Sequence, residues 1–329
     1  MEHKISGLNV KGISVVIPQN RLFMSDFYGK YGENEIKRIV MSTGIESVHI
    51  ANKVTTTLNL CEKAALNLFE DLGIGVDSID GIIFVSQTPD YKMPATSCIL
   101  QHRLGLKKEV VAFDINYGCS GYIYGLYQAS MLLSAGGCNR VLLCAGDTIS
   151  RNLNPDDYKV RLIFGDAGSA TIIDKGETEW AFDIRTDGAG YNELIILKDE
   201  AGNDDYLHMN GGAIMAFALR EIKPIFDNIL LIKGWTSKDI SQVVFHQANQ
   251  FILNYLRKKL GLDSSIVPVS IKQYGNTGPA SIPLTLCDQY SEVGKTLGKS
   301  VLIGFGVGLS WGACALDLTG CRLLSVAEL

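Results

Sequence analysis

The chain has 329 residues, of which 47% are hydrophobic and 20% charged, with a formal net charge of −5. That is enough apolar material for a large core, in one big domain or two fused halves, and the acidic balance speaks against a nucleic-acid surface, which is normally basic. None of the eight cysteines forms a C-x-x-C pair, no run approaches the roughly 18 apolar residues of a membrane span, and residues 1–9 lack the apolar core of a signal peptide. The expectation is a cytoplasmic protein with reduced thiols, no metal site and no membrane span.

In chain order, residues 81–86 read as a buried strand, 94–104 as a helix and 110–115 as a second strand. Residues 121–133, rich in Tyr, Leu and Ala, read as a helix and 140–146 as a third strand. The alternation predicts a layered α/β fold with a buried sheet. The plan recurs about 160 residues further on, where 242–246 match the strand at 82–84 and 300–306 match that at 140–146. Tyr274-Gly275-Asn276-Thr277-Gly278 stands at a similar offset from Tyr117-Gly118-Cys119-Ser120-Gly121. An internal duplication is expected, with halves 1–174 and 175–329, and with chemistry where equivalent helix N-termini meet near a pseudo-twofold axis.

Cys119 lies between a predicted strand and a predicted helix, flanked by glycines. Such a strand–turn–helix exposes a nucleophile, and a thiol at a helix N-terminus feels the positive end of the macrodipole, which favours thiolate. A buried structural cysteine satisfies the same local sequence. His246 closes an apolar strand, at the end where α/β folds place ligands, though a core histidine also fits. Asn276, in Gly-Asn-Thr-Gly, is equally consistent with a turn. Residues 304–312 are glycine-rich and follow a strand, with no βαβ unit after them to make a dinucleotide site. Close backbone approach to a reacting carbonyl, with an N–H donating to an oxyanion, is the better use.

Together these strings resemble the thiolase-fold condensing enzymes, in particular the β-ketoacyl-acyl-carrier-protein synthase III family. The resemblance runs from Thr43-Gly44-Ile45 to Trp311-Gly312 and includes residues 87–91, 164–170 and 246–249. It implies a thiolase-like fold of two pseudo-duplicated α/β halves in αβαβα layers, a homodimer, no cofactor, and a Cys-His-Asn triad of Cys119, His246 and Asn276. Cys119 would take an acyl group from a thioester, with the N–H groups of Cys119 and Gly308 as the oxyanion hole. His246 and Asn276 would hold the carbonyl of a malonyl thioester while it decarboxylates and condenses to a β-ketoacyl thioester. Acyl carrier protein is the implied partner, with acyl-CoA as an alternative donor.

Substrate contacts are expected at Met93, which in the family reaches the partner's acyl pocket, and at Tyr158, Asn249, Phe251 and Gly306. The sequence also departs from the family. Arg38, Ser42 and Tyr158 stand where a Trp and two Arg grip the adenine of coenzyme A, so an Arg38–Tyr158 stack is the expected substitute. Phe251 and Ala216 replace a common Arg and Lys, which shifts expected carrier contacts to Arg220, Arg257, Lys258 or Lys259. Three readings follow. One is a decarboxylating ketosynthase of fatty acid or specialised polyketide metabolism. Another is an acyltransferase that passes the acyl group to an amine, hydroxyl or carrier thiol without decarboxylation. The third is a non-catalytic ketosynthase partner subunit, against which the retained triad speaks.

Overall fold

Strands that are apolar on both faces need cover on both faces, and this requirement sets the architecture. The computed structural model describes residues 1–198, 205–292 and 297–329. The principal strands are β1 (Glu2–Ile17), β2 (Gly81–Val85), β3 (Val111–Ile115), β4 (Arg140–Asp147) and β5 (Ala167–Thr186), then a hairpin of β6 (Leu194–Lys198) and β7 (Asp205–Met209), then β8 (Gln242–Phe245), β9 (Lys299–Gly306) and β10 (Ser310–Asp317). The principal helices are α1 (Glu33–Thr43), α2 (Thr57–Leu72), α3 (Thr96–Arg103), α4 (Gly121–Ser134), α5 (Gly211–Lys233), α6 (Gln250–Lys259) and α7 (Ser281–Tyr290).

Alternate residues sort into layers. In the first half, Ile83, Val85 and Leu143 join a central cluster with Tyr122, Leu126 and Leu133 of α4 and Leu284 and Leu286 of α7. Ile82, Phe84, Leu142 and Cys144 face the other way, onto Leu60, Ala64 and Leu68 of α2. In the second half, Val244 and Leu302 face the centre, while Val243, Phe245, Val301 and Ile303 pack on Phe217, Ile222 and Ile225 of α5. The order is helix, sheet, helix, sheet, helix. α4 is apolar nearly all round because it lies in the middle layer. No helix among the described residues is long and apolar enough to cross a membrane.

The two halves repeat one pairing scheme. β2 runs parallel to β4, β4 antiparallel to β5, and the first part of β5 antiparallel to residues 10–16 of β1. Likewise β8 runs parallel to β9, β9 antiparallel to β10, and β10 antiparallel to the last part of β5. β5 therefore serves both sheets. Its last partner on β4 is Arg140, at Asp174, and its pairing with β10 starts at Ala181. The expected division after residue 174 thus falls where one continuous strand changes partners. The long β1 was absent from the expected elements: its first residues are charged, yet Ile5, Leu8 and Val10 are buried.

Gly168 of β5 shows how tightly α2 sits. A Cβ there would lie 2.7 Å from the Cys61 amide nitrogen and 2.8 Å from the Leu60 carbonyl carbon, both backbone atoms. At Gly125 of α4 the obstacles are side-chain ends of Leu143 and Val85. Gly168→Ala is expected to cost about 1–3 kcal/mol and to lower the thermal midpoint by several degrees in a circular-dichroism melt. Gly125→Ala is expected to cost less, because Leu143 can rotate and the helix gains about 1 kcal/mol of propensity.

Candidate active site

β3 ends at Ile115 and α4 starts at Gly121, so Cys119 occupies the turn between them. The Gly121 N–H donates to the Gly118 carbonyl at 2.7 Å and closes that turn. A Cβ on Gly118 would meet the Gln87 side-chain oxygen and Val307 Cγ1, so both side chains close over this turn. From the second half, β9 crosses directly over the nucleophile. A Cβ on Gly304 would lie 2.8 Å from Ser120 Cα, and one on Gly306 would lie 2.8 Å from Cys119 Cβ and 3.0 Å from its Sγ. The Ser310 hydroxyl donates to the Val307 carbonyl at 2.6 Å and so accepts from Ser120, also at 2.6 Å. Leu309 and Asp187 exchange two backbone bonds, which fix the far side of this loop. Gly308 sits in the loop and lines the same cavity as Cys119. Neither its N–H nor that of Cys119 enters a backbone hydrogen bond among the described residues.

His246 follows β8, and its own N–H is held by the Ile303 carbonyl at 2.8 Å. Its Nδ1 lies 2.7 Å from the hydroxyl of Ser281, the first residue of α7. Asn276 is pinned by backbone bonds to Ile163 and Gly165. Its side-chain oxygen accepts from the Gly278 N–H at 3.0 Å, which leaves the Nδ2 amide as its free donor. Cys119, His246, Asn276, Asn249 and Gly306 line one narrow cavity. The two helix starts meet beside it, since a Cβ on Gly121 would lie 3.6 Å from Pro279 Cβ. A second, wider cavity of about 350 Å³ opens from Cys119 toward Ile149, Phe164, Leu194, Ile196 and Leu207.

Burial dominates the protonation states. It pushes the Cys119 thiol up to about 12, with the Asp147 carboxylate adding to the rise and the N–H groups of Val307 and Cys119 opposing it. The expected shift toward thiolate is therefore corrected: the site has the helix start, but desolvation outweighs it in the resting state. Burial also pulls His246 down to about 3, opposed only by the Gly278 backbone, so the ring is neutral at physiological pH. Asp147 is raised to about 6 by burial, although Gln87, Thr88 and Ser86 all donate to it.

The other expected contacts scatter. Asn249 caps α6, its side-chain oxygen accepting from the Ile252 N–H at 2.8 Å. Phe251 is exposed on α6, and Met93 is 85% exposed and lines neither cavity at Cys119. Tyr158 does not stack on Arg38. Its ring lies on Tyr31 with centroids 5.0 Å apart and its hydroxyl donates to Glu35, while Arg38 reaches only Glu35 and stays exposed. The reason is competition: Tyr31 offers a flat apolar face, whereas Arg38 keeps its charge in water. Of the expected carrier contacts, Arg257 is tied to the Leu262 carbonyl, Lys259 to the Leu219 carbonyl and Arg220 to Glu221. Sequence reasoning missed Asp147. The available signal was an acidic residue closing an otherwise apolar strand, the end at which α/β folds build sites.

The family profile of 3-oxoacyl-[acyl-carrier-protein] synthase III matches residues 113–188, and that of its C-terminal part matches residues 230–318. A β-ketoacyl-[acyl-carrier-protein] synthase III of Clostridium perfringens is 32% identical, covering 93% of this chain and 98% of its own. The crystal structure of a 3-oxoacyl-(acyl-carrier protein) synthase from Burkholderia xenovorans superposes with a TM-score of 0.95 at 35% identity, covering 100% of this chain and 99% of the other. The priming β-ketosynthase of the R1128 polyketide pathway superposes with a TM-score of 0.87 at 25% identity, covering 96% of this chain and 97% of the other.

With its pKa at about 12, only about one Cys119 in 10⁴ is thiolate at pH 8. Alkylation by iodoacetamide, followed by peptide mass spectrometry, should label the exposed Cys98 long before Cys119. The Cys119 rate should rise about tenfold per pH unit up to pH 10. Asp147→Asn removes a charge that disfavours thiolate, so it should speed Cys119 labelling at pH 8 by roughly threefold or more.

Proposed function

The chain belongs to the 3-oxoacyl-[acyl-carrier-protein] synthase III family of acyl-transferring condensing enzymes, and from that premise we propose that it joins an acyl group on Cys119 to a malonyl unit carried by an acyl carrier protein. The observation that carries the proposal is the common cavity of Cys119, His246 and Asn276, in which a neutral imidazole and an amide donor face the same space as the thiol.

In the first step the Cys119 sulfur attacks the donor thioester carbonyl. The new C–S bond forms, the old one breaks, and the thiol proton leaves on the departing carrier or coenzyme A thiol. The negative oxygen of the tetrahedral intermediate is met by the N–H groups of Cys119 and Gly308. In the second step the malonyl thioester carbonyl lies against His246 and Asn276. Its carboxylate leaves as carbon dioxide, and the electron pair passes into an enolate. With His246 as the Nε2–H tautomer, its Nδ1 accepting from the Ser281 hydroxyl 2.7 Å away, the ring donates to the enolate oxygen as a neutral group. The enolate carbon then attacks the acyl carbonyl and expels the Cys119 thiolate, which yields the β-ketoacyl thioester.

A homodimer belongs to the same proposal. β3 has β2 on one side only, which leaves an open strand edge, and Val111 on it and Met93 nearby are exposed apolar side chains. A passing-on of the acyl group without decarboxylation is the competing reading, and Asn276 separates the two. Cys119→Ala should show no acyl adduct in intact-protein mass spectra. His246→Ala and Asn276→Ala should still acylate, while malonyl-carrier decarboxylation falls at least about 100-fold. Full decarboxylation in Asn276→Ala would defeat the assigned role.

A further inference from the structure

The wider cavity at Cys119 has two unlike walls. One is apolar: Ile149, Phe164, Leu194, Ile196, Leu207 and Val307. The other carries the side chains of Gln87 and Asn116 beside Asp147. The Gln87 backbone N–H is committed to Asp147 at 2.8 Å, with Thr88 and Ser86 on the same carboxylate oxygen. That anchor holds the Gln87 side-chain oxygen over Gly118, one residue from the nucleophile. Neither the Gln87 nor the Asn116 carboxamide has a protein hydrogen-bond partner among the described residues. Gln87 is half-buried, so a plain alkyl chain would cover its amide and leave it unsatisfied, while Asn116 is exposed and stands at the rim. Among the described residues no Lys or Arg lines the cavity, so a carboxylate on the acyl chain would face Asp147 without a counter-charge there.

We propose that the acyl group this enzyme loads bears a neutral hydrogen-bonding substituent, a hydroxyl on an otherwise aliphatic chain, and that Gln87 and Asn116 select it. The inference rests on the acyl-cysteine reading above. The apolar wall takes the carbon chain, and the two amides, each with a donor and an acceptor, take the hydroxyl. The cavity of about 350 Å³ has room for a short acyl chain with one hydroxyl. A site built to pair a substrate hydroxyl discriminates against the analogue that lacks it more strongly than an apolar pocket rejects an added one.

The test uses the full chain and three N-acetylcysteamine thioesters: hexanoyl, 3-hydroxyhexanoyl and 5-hydroxyhexanoyl. Acylation of Cys119 is followed by intact mass, with the adduct located by peptide mapping. The expected result is that at least one hydroxylated donor loads about tenfold or more faster than hexanoyl. Gln87→Leu, Asn116→Leu or both should erase that preference, and whichever does so identifies the selecting amide. The inference is overturned if hexanoyl loads as fast as both hydroxylated donors, or if both variants keep the preference of the unaltered protein. Failure of all three donors to acylate Cys119 would instead overturn the acyl-cysteine reading, and this inference with it.

Discussion

The site depends on one backbone-to-backbone contact between the halves of the molecule. β9 passes so close to the start of α4 that its glycines can carry no Cβ: at 304 it would strike Ser120, and at 306 it would strike Cys119 itself. This closeness brings the 306–310 loop, with its uncommitted Gly308 N–H, to a nucleophile that lies nearly 190 residues earlier in the chain. The Ser120–Ser310 hydrogen bond and the Leu309–Asp187 pair hold the contact in place. Without it, Cys119 would be one more buried cysteine.

The same closeness dries the site. Cys119, His246 and Asp147 are all almost fully buried, and desolvation pushes each of them toward its neutral form. A neutral histidine suits stabilisation of an enolate, because it donates a hydrogen bond without inviting protonation of the carbon nucleophile. A neutral resting thiol is protected from stray electrophiles, and it becomes a good nucleophile only when a bound thioester and the oxyanion donors share the developing charge. Asp147 acts on both sides of this balance. Its charge disfavours thiolate, while its hydrogen bonds to Ser86, Gln87 and Thr88 fix the turn that buttresses Gly118.

Substrate recognition is distributed differently from the chemistry. The narrow cavity sets His246 and Asn276 among apolar side chains such as Ile163, Phe164 and Ile214, whereas the wider one is bounded by the β6–β7 hairpin and by Gln87 and Asn116. At the surface, Tyr158 stacks on Tyr31 and Arg38 pairs with Glu35, so the expected Arg38–Tyr158 stack does not form.

Much of this was legible from the amino-acid sequence. Strands at 82–84, 140–146 and 300–306 stand out because both faces are buried, and α4 because it is apolar all round; these are local patterns. The turn at Cys119 and the candidate roles of His246 and Asn276 were readable from glycine spacing together with family resemblance. Three things were not. β1 hides behind charged residues whose strand conformation is imposed by pairing with the far-off β5. Tyr158 chose Tyr31 over Arg38, a competition between neighbours that no linear spacing ranks. The thiol's protonation state was read with the wrong sign, because a helix start is visible in the sequence whereas desolvation is not. The sequence by itself determined the elements, their repetition and the chemical groups. Only the tertiary structure decided which of those groups meet, how dry their meeting place is, and therefore which of them carry charge, because burial and contact are properties of the packed whole.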